Sequence, residues 1–117
     1  MRSNEILLPW REVMVETVRA DGPDLSMRQW AILLTVYLTP GPHTVRRMAE
    51  EFSIPKPAIS RALDSLSILG LIKRVRDPND KRIVIVQKTP DGALFVDEFS
   101  RIVEDGSRSI SFGGLFG

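Results

Sequence analysis

Cysteine is absent from this 117-residue chain, and histidine occurs once, at His43. Without cysteine the chain has no disulfide framework, no zinc–thiolate site and no thiol redox switch. A single histidine cannot supply a multi-histidine metal site, and we expect no cofactor. No apolar run approaches the roughly 20 residues of a membrane-spanning helix, and no signal-peptide pattern opens the chain. We therefore expect a cytoplasmic protein that makes no contact with a membrane.

A strong net charge is also lacking, because the formal charge is only +1. The charges are unevenly distributed, however: residues 44–88 carry ten basic and five acidic side chains, and the remainder is net acidic. A basic segment between acidic ends indicates one surface that faces a polyanion, although chance segregation on a solvated surface is the alternative. No nucleophile–base pair, phosphate-binding glycine loop or paired carboxylates are evident, so we expect no enzyme.

Hydrophobic periodicity predicts five helices and one β-hairpin in a single domain, 1–117. The predicted helices are 6–20, 26–38, 44–52, 56–69 and 93–105, with the hairpin between the last two. Pro9 is expected in the first turn of its helix, and Gly106 is expected to end the last helix before a flexible Gly/Phe tail, 106–117. This order predicts a mostly helical α+β fold, a helix-turn-helix with a β-hairpin wing.

Several residues have the spacing of helix caps. Ser26 with Gln29 three residues later predicts a capping box, and Thr44 is a predicted N-cap. Gly70 stands where a helix C-cap glycine belongs. The tryptophans and two methionines, Trp10, Trp30, Met14 and Met27, are expected in the core and dimer base, with a ligand cleft as the alternative.

Residues 44–69 have the layout of a DNA-reading helix-turn-helix, with a second helix that is basic at its start. Lys56, Pro57, Ser60 and Arg61 lie opposite its apolar face, where cations and hydroxyls can donate to guanine or to phosphate. A helical hairpin with a solvated polar face is the alternative. Asp64 would repel phosphate and is expected to pair with Arg61.

The hairpin carries cations near its tip, and such side chains can enter a narrow minor groove. Asp80 lies two residues before Arg82, close enough to hold its guanidinium in a fork. Charges that keep an edge strand soluble are the alternative. The predicted DNA-contacting residues are Thr44, Arg46, Arg47, Lys56, Pro57, Ser60, Arg61, Arg74, Arg76, Asp80, Lys81 and Arg82.

These segments resemble, in order and spacing, the MarR-type winged-helix transcriptional regulators. The matching stretches are Leu25-Ser26-x-x-Gln29, Thr44-Val45-x-x-Met48-Ala49-Glu50, 56–66, 70–74, 76–82 and Thr89-Pro90-Asp91-Gly92. The resemblance implies a sequence-specific double-stranded DNA-binding protein without catalysis, a homodimer on a palindromic operator. It implies a recognition helix in the major groove and Arg82 in the minor groove. A small-molecule effector is possible in such proteins, and the sequence names none.

Three departures from the family pattern affect this interpretation. Pro55 stands where many relatives have a serine or threonine cap, so backbone donors there need another partner. The sensing cysteine of the peroxide-responsive branch is absent. Relatives dimerise by packing their first helix against a long C-terminal helical region, whereas a break is expected here at Gly106. A dimer is therefore expected to rest mainly on 6–20 and 93–105, with Phe112 and Phe116. A tail that packs back on its own domain or hangs free is the alternative. A winged-helix module that docks a protein partner instead of DNA is the alternative function.

Overall fold

The structure, a computed structural model, describes the backbone of residues 2–116 and the side chains of residues 2–106. Within these limits it contains five helices and three short strands. They are α1 (Arg2–Arg19), α2 (Met27–Leu38), β1 (His43–Thr44), α3 (Val45–Phe52), α4 (Lys56–Ile68), β2 (Ile72–Arg76), β3 (Val84–Lys88) and α5 (Pro90–Phe116). The predicted α+β winged helix-turn-helix, mostly helical, is confirmed.

The chain divides into two compact units. One unit, Leu25–Val96, contains α2 to β3 and the start of α5. The other consists of Met1–Asp24 and Asp97–Gly117 and contains α1 and most of α5. The prediction that 1–117 forms a single domain stays a prediction.

The core of the unit Leu25–Val96 is built from one face each of α2, α3 and α4 and from the base of the hairpin. Its largest fully buried side chains are Ile32, Leu33, Val36, Met48, Ile59, Leu63, Leu66 and Ile72. Met48 of α3 and Ile59, Leu63 and Leu66 of α4 form the inward faces of these two helices. On α2, Leu38 is apolar but 69% exposed. Residues 30–38 are apolar or aromatic except for Thr35, so the periodicity could not mark which face is buried.

The predicted caps hold this unit's helices at their expected starts. Ser26 Oγ accepts from the backbone N–H of Gln29 at 3.1 Å, and Gln29 Oε1 accepts from the N–H of Ser26 at 2.7 Å. Thr44 Oγ1 accepts from the N–H of Arg47 at 3.2 Å. Gly70 follows the C-cap of α4 with a φ of 76°, a left-handed conformation that favours glycine.

The sheet has the order β1–β3–β2 and is antiparallel throughout. Ile72 lies opposite Lys88, and Arg76 lies opposite Val84, so the hairpin forms the predicted wing. His43 of β1 pairs with Val86. Strand β1 was not predicted, because two residues are too short to show the alternation of a strand.

A network around Tyr37 fixes the base of the wing. The Tyr37 hydroxyl donates to the carbonyl oxygen of Leu71 at 2.7 Å and accepts from the N–H of Thr89 at 3.0 Å. Thr89 Oγ1 donates to the carbonyl of Gly70 at 2.7 Å and accepts from the N–H of Gly92 at 2.9 Å. These bonds tie both ends of the hairpin to α2 and to the first turn of α5.

The other unit corrects two predictions. Helix α5 continues to Phe116, so the prediction that Gly106 ends this helix is wrong, and the predicted flexibility of 106–117 stays a prediction. Gly106 is buried, and a Cβ there would lie 2.8 Å from Cγ2 of Val13, so this glycine permits a close approach to α1. Pro9 lies inside α1 and not in its first turn, because the helix begins at Arg2. The side chains of Phe112 and Phe116 are outside the described residues.

The apolar stripe of α1 is exposed among the side chains that the structure describes. No residue of α1 is buried, and Trp10 is 60% exposed. Met14 and Met27 are also exposed, so these two residues and Trp10 lie outside the core of the chain, and their expected place in a dimer base stays a prediction. Trp30 does pack against the core, where its ring stacks on Phe95 with centroids 5.4 Å apart.

Among the described residues, no helix is both long and apolar enough to cross a membrane. The described side chains also bring together no group of three or more histidine, aspartate or glutamate residues that could hold a metal ion.

Candidate nucleic-acid interface

Helix α4 presents a polar face opposite its buried one. Ile59 and Leu63 are fully buried, and the same helical repeat leaves Lys56 and Arg61 exposed and Ser60 half-buried. Pro57 is exposed beside them. Within the unit Leu25–Val96, no hydrogen bond or ion pair engages the side chains of Lys56 and Arg61. Their donors are therefore available to an external acceptor.

The N-terminus of α4 needs fewer external partners than the sequence indicated. Pro55 provides no side-chain cap, as expected. Its carbonyl oxygen, however, accepts from the N–H groups of Ala58 at 3.0 Å and Ile59 at 3.4 Å. Pro57 has no N–H to satisfy. The partial positive charge of the helix start still favours an anion next to Lys56.

The tip of the wing is an ordered loop held by its own polar groups. Asp77 Oδ1 accepts from the N–H of Asn79 at 2.8 Å, and the N–H of Ile83 donates to the carbonyl of Asp80 at 2.9 Å. Arg76 Nη1 donates to the carbonyl of Lys81 at 2.8 Å, so Arg76 spans the base of the loop. These bonds fix the path of the chain on either side of the tip.

The predicted Asp80–Arg82 fork is confirmed. Arg82 Nε donates to Asp80 Oδ1 and Arg82 Nη2 to Asp80 Oδ2, each at 3.0 Å. The backbone N–H of Arg82 also donates to Asp80 Oδ1 at 3.1 Å. The Arg82 side chain is nevertheless 90% exposed. Asp80 therefore orients a guanidinium that projects into solvent with donors to spare.

Hydrogen bonds from Arg82 lower the pKa of Asp80, and the Asp80 carboxylate raises the pKa of Arg82. The fork is complete above the ordinary titration range of an aspartate, near pH 4, and is lost as the pH falls through the lowered pKa. We expect Arg82→Gln to raise the pKa of Asp80 toward its ordinary range. A titration of the Asp80 carboxyl carbon by NMR measures it, and an unchanged pKa would contradict the fork in solution.

Other predicted contact residues have partners within the chain. Arg47 Nη1 donates to the carbonyl of Pro42 at 2.8 Å, and Arg46 Nε lies 3.4 Å from Glu50 Oε1. The Thr44 hydroxyl caps α3. Thr44, Arg46 and Arg47 thus each have a local structural bond, and their contact with DNA stays a prediction.

One pairing differs from the sequence interpretation. Asp64 Oδ1 lies 2.7 Å from Arg74 Nη1 of β2, so Asp64 pairs with Arg74 and not with Arg61.

All twelve predicted contact residues lie in the unit Leu25–Val96. Sequence reasoning missed Tyr37 as the centre of the network at the wing base. The related signal in the sequence was the stretch Thr89-Pro90-Asp91-Gly92, where α5 begins.

Comparison with known proteins identifies this unit. Residues 24–83, just over half of the chain, match the family model described as "MarR family". The chain belongs to the MarR family. The resemblance found in the sequence is therefore confirmed, and the match covers α2, α3, α4 and the wing up to Ile83.

Named relatives support the MarR assignment. The chain is 35% identical over 75 residues to the multiple antibiotic resistance protein MarR of Salmonella typhimurium, which covers 64% of this chain and 51% of that protein. The chain therefore spans about half the length of the curated relatives it matches.

Solved structures agree with the MarR fold. The transcriptional regulator BldR from Sulfolobus solfataricus superposes with a TM-score of 0.61 at 30% identity, covering 74% of this chain and 60% of BldR. A point mutant of S. aureus MepR, bound to an oligodeoxyribonucleotide, gives a TM-score of 0.77 at 20% identity, covering 94% of this chain and 78% of MepR. At that identity the MepR likeness shows the fold alone.

Proposed function

We propose that this chain is a sequence-specific DNA-binding transcriptional regulator that acts as a homodimer and catalyses no reaction. The observation that carries the proposal is the pair of free cationic side chains on α4, Lys56 and Arg61, in one compact unit with the oriented Arg82 of the wing. Membership of the MarR family supports it. A protein of this fold, the MepR mutant, was solved with an oligodeoxyribonucleotide, so the fold accommodates DNA. We place the regulator in the cytoplasm with the DNA it binds.

In this proposal α4 enters the major groove, N-terminus first. Arg61 and Lys56 can donate to O6 and N7 of guanine, and Ser60 can donate or accept over a shorter reach. Arg82, presented by Asp80, enters the adjacent minor groove, where the potential is most negative if the groove is narrow. Arg46, Arg47 and the other wing cations would add phosphate contacts that strengthen binding without reading sequence.

The proposed dimer rests on the exposed stripe of α1. Ile6, Trp10, Met14 and Val18 recur at four-residue spacing along one side of the helix, and all four are exposed. Large contiguous apolar patches on soluble proteins mark interaction surfaces. A second copy of the chain would cover this stripe, and α5 would contribute from residues 97–105. Two recognition helices related by a twofold axis would then meet half-sites about ten base pairs apart.

Selection of bound sequences from a pool of random duplexes tests the proposal. We expect enrichment of an imperfect palindrome, with affinity that falls steeply as salt rises because phosphate neutralisation releases counterions. Sedimentation of the free protein would report a dimer. If the protein enriches no sequence, and if duplex DNA shows no salt-dependent mobility shift with it, the result favours the alternative function, a winged-helix module that docks a protein partner.

Arg61→Ala should change which bases are selected and not merely weaken binding. Arg61 lies on the outward face of α4 with an unengaged guanidinium, and a bidentate contact to guanine is worth about 1–3 kcal/mol of discrimination. The measurement is a second selection with the variant, and Arg46→Ala on α3 is the control because it removes a cation without reaching the bases. An unchanged selection profile would make Arg61 a phosphate contact.

A further inference from the structure

A carboxylate stands on the surface that would face the phosphates of DNA. Asp64 lies on α4 one turn after Arg61, and its side chain is 56% exposed. A negative charge there opposes a polyanion, and its simple removal would be expected to strengthen binding. Asp64 therefore needs a role that outweighs the repulsion.

The partner of Asp64 lies on a different element. Arg74 Nη1 of β2 lies 2.7 Å from Asp64 Oδ1, and the Arg74 side chain is 34% exposed. Among the ion pairs described within the unit Leu25–Val96, the Asp64–Arg74 pair joins the recognition helix α4 to strand β2 of the wing. The others, Arg46 with Glu50 and Arg82 with Asp80, stay within α3 and within the wing loop.

We infer that Asp64 is a positioning residue for DNA binding, which orients Arg74 of the wing strand toward a phosphate. This inference rests on the proposed function. A guanidinium has five N–H donors, and the Asp64 oxygen lies next to one terminal nitrogen, so the remaining donors stay available. Fixing a long, flexible side chain before binding removes part of the entropy that complex formation would otherwise cost.

The arrangement at the base of the wing resembles the arrangement at its tip. Asp80 orients Arg82, and Asp64 orients Arg74, so each aspartate presents one arginine of the wing. The two pairs differ in the separation of their partners along the chain. Asp80 is two residues from Arg82, whereas Asp64 is ten residues from Arg74 and belongs to another element. The Asp64–Arg74 pair therefore also links β2 to α4.

The test uses the duplex that the wild-type protein selects from a random pool and a scrambled duplex of the same length. We expect Asp64→Asn to weaken binding of the selected duplex about threefold to tenfold although it removes a negative charge. Glu51→Gln is the matched control, since Glu51 is an exposed acidic residue of α3 without an ion pair in this unit. It should leave binding equal or slightly stronger.

A double-mutant cycle with Arg74→Gln separates positioning from simple loss of charge. If Asp64 acts through Arg74, Asp64→Asn has little further effect once Arg74 is glutamine, and the salt dependence of binding falls by about one phosphate contact in either variant. Asp64→Glu, which keeps the carboxylate, should restore part of the affinity. Thermal unfolding of every variant should match wild type, because an exposed ion pair contributes little to stability.

Binding by Asp64→Asn that equals or exceeds wild type, or additive effects in the cycle, would overturn the inference while the proposed function stands. Wild-type protein that selects no duplex would overturn the proposed function and this inference with it.

Discussion

Replacing Arg82 with alanine should weaken binding of the selected duplex by about 1–3 kcal/mol and leave the fold intact. The Arg82 side chain is 90% exposed, and its contacts within the described residues are with Asp80, so little of the packed structure depends on it. We expect the substitution to lower the affinity for DNA and not the stability of the fold, because Asp80 holds the Arg82 guanidinium in one geometry before DNA binds. Titration of labelled duplex at physiological salt measures the loss, and circular dichroism checks the fold.

The neighbouring Lys81 provides the matched control. Lys81 is exposed on the same loop and carries the same charge, but no carboxylate orients its ammonium in the wing. Lys81→Ala should therefore cost less than Arg82→Ala and should act alike on selected and scrambled duplexes. Equal losses from the two variants would mean that the wing contributes only charge. Unchanged affinity in Arg82→Ala would remove the minor-groove role.

The recognition helix and the wing tip could be predicted from the sequence because their determinants are local. The buried face of α4 follows from a helical repeat, and Gly70 marks its end within two residues. The Asp80–Arg82 fork joins residues two positions apart, so their spacing alone implies the contact. Short-range geometry of this kind is the same in most folds.

Features that depend on distant segments could not be predicted. The Asp64–Arg74 pair crosses from a helix to a strand, and the sequence favoured the nearer Arg61. Gly106 is typical of a helix end in sequence, but it is buried against Val13, about ninety positions away in the chain, where only a glycine fits closely. The short β1 strand exists because β3 pairs with it. In each case the partner, and not the local pattern, determines the structure.

Gly92 allows the sharpest test of the wing base. A Cβ at this position would overlap the Tyr37 hydroxyl and the carbonyl oxygen of Leu71, and both atoms take part in the network that closes the hairpin. The backbone carbonyl cannot move away without shifting the start of β2. Gly92→Ala should therefore lower the free energy of unfolding by about 3 kcal/mol, from overpacking and from a disrupted Tyr37 hydrogen bond.

Gly70→Ala is the control for Gly92→Ala, because it separates backbone strain from lack of space. Gly70 has a φ of 76°, but a Cβ there would meet nothing within 4 Å, so the cost should be only about 1 kcal/mol. Urea unfolding followed by circular dichroism compares the two. Tyr37→Phe should lower the free energy of unfolding less in the Gly92→Ala variant than in wild type, because the Gly92→Ala variant has already lost the hydrogen bonds of the Tyr37 hydroxyl. If Gly92→Ala costs no more than Gly70→Ala, the close packing of α2, β2 and α5 at the wing base is wrong.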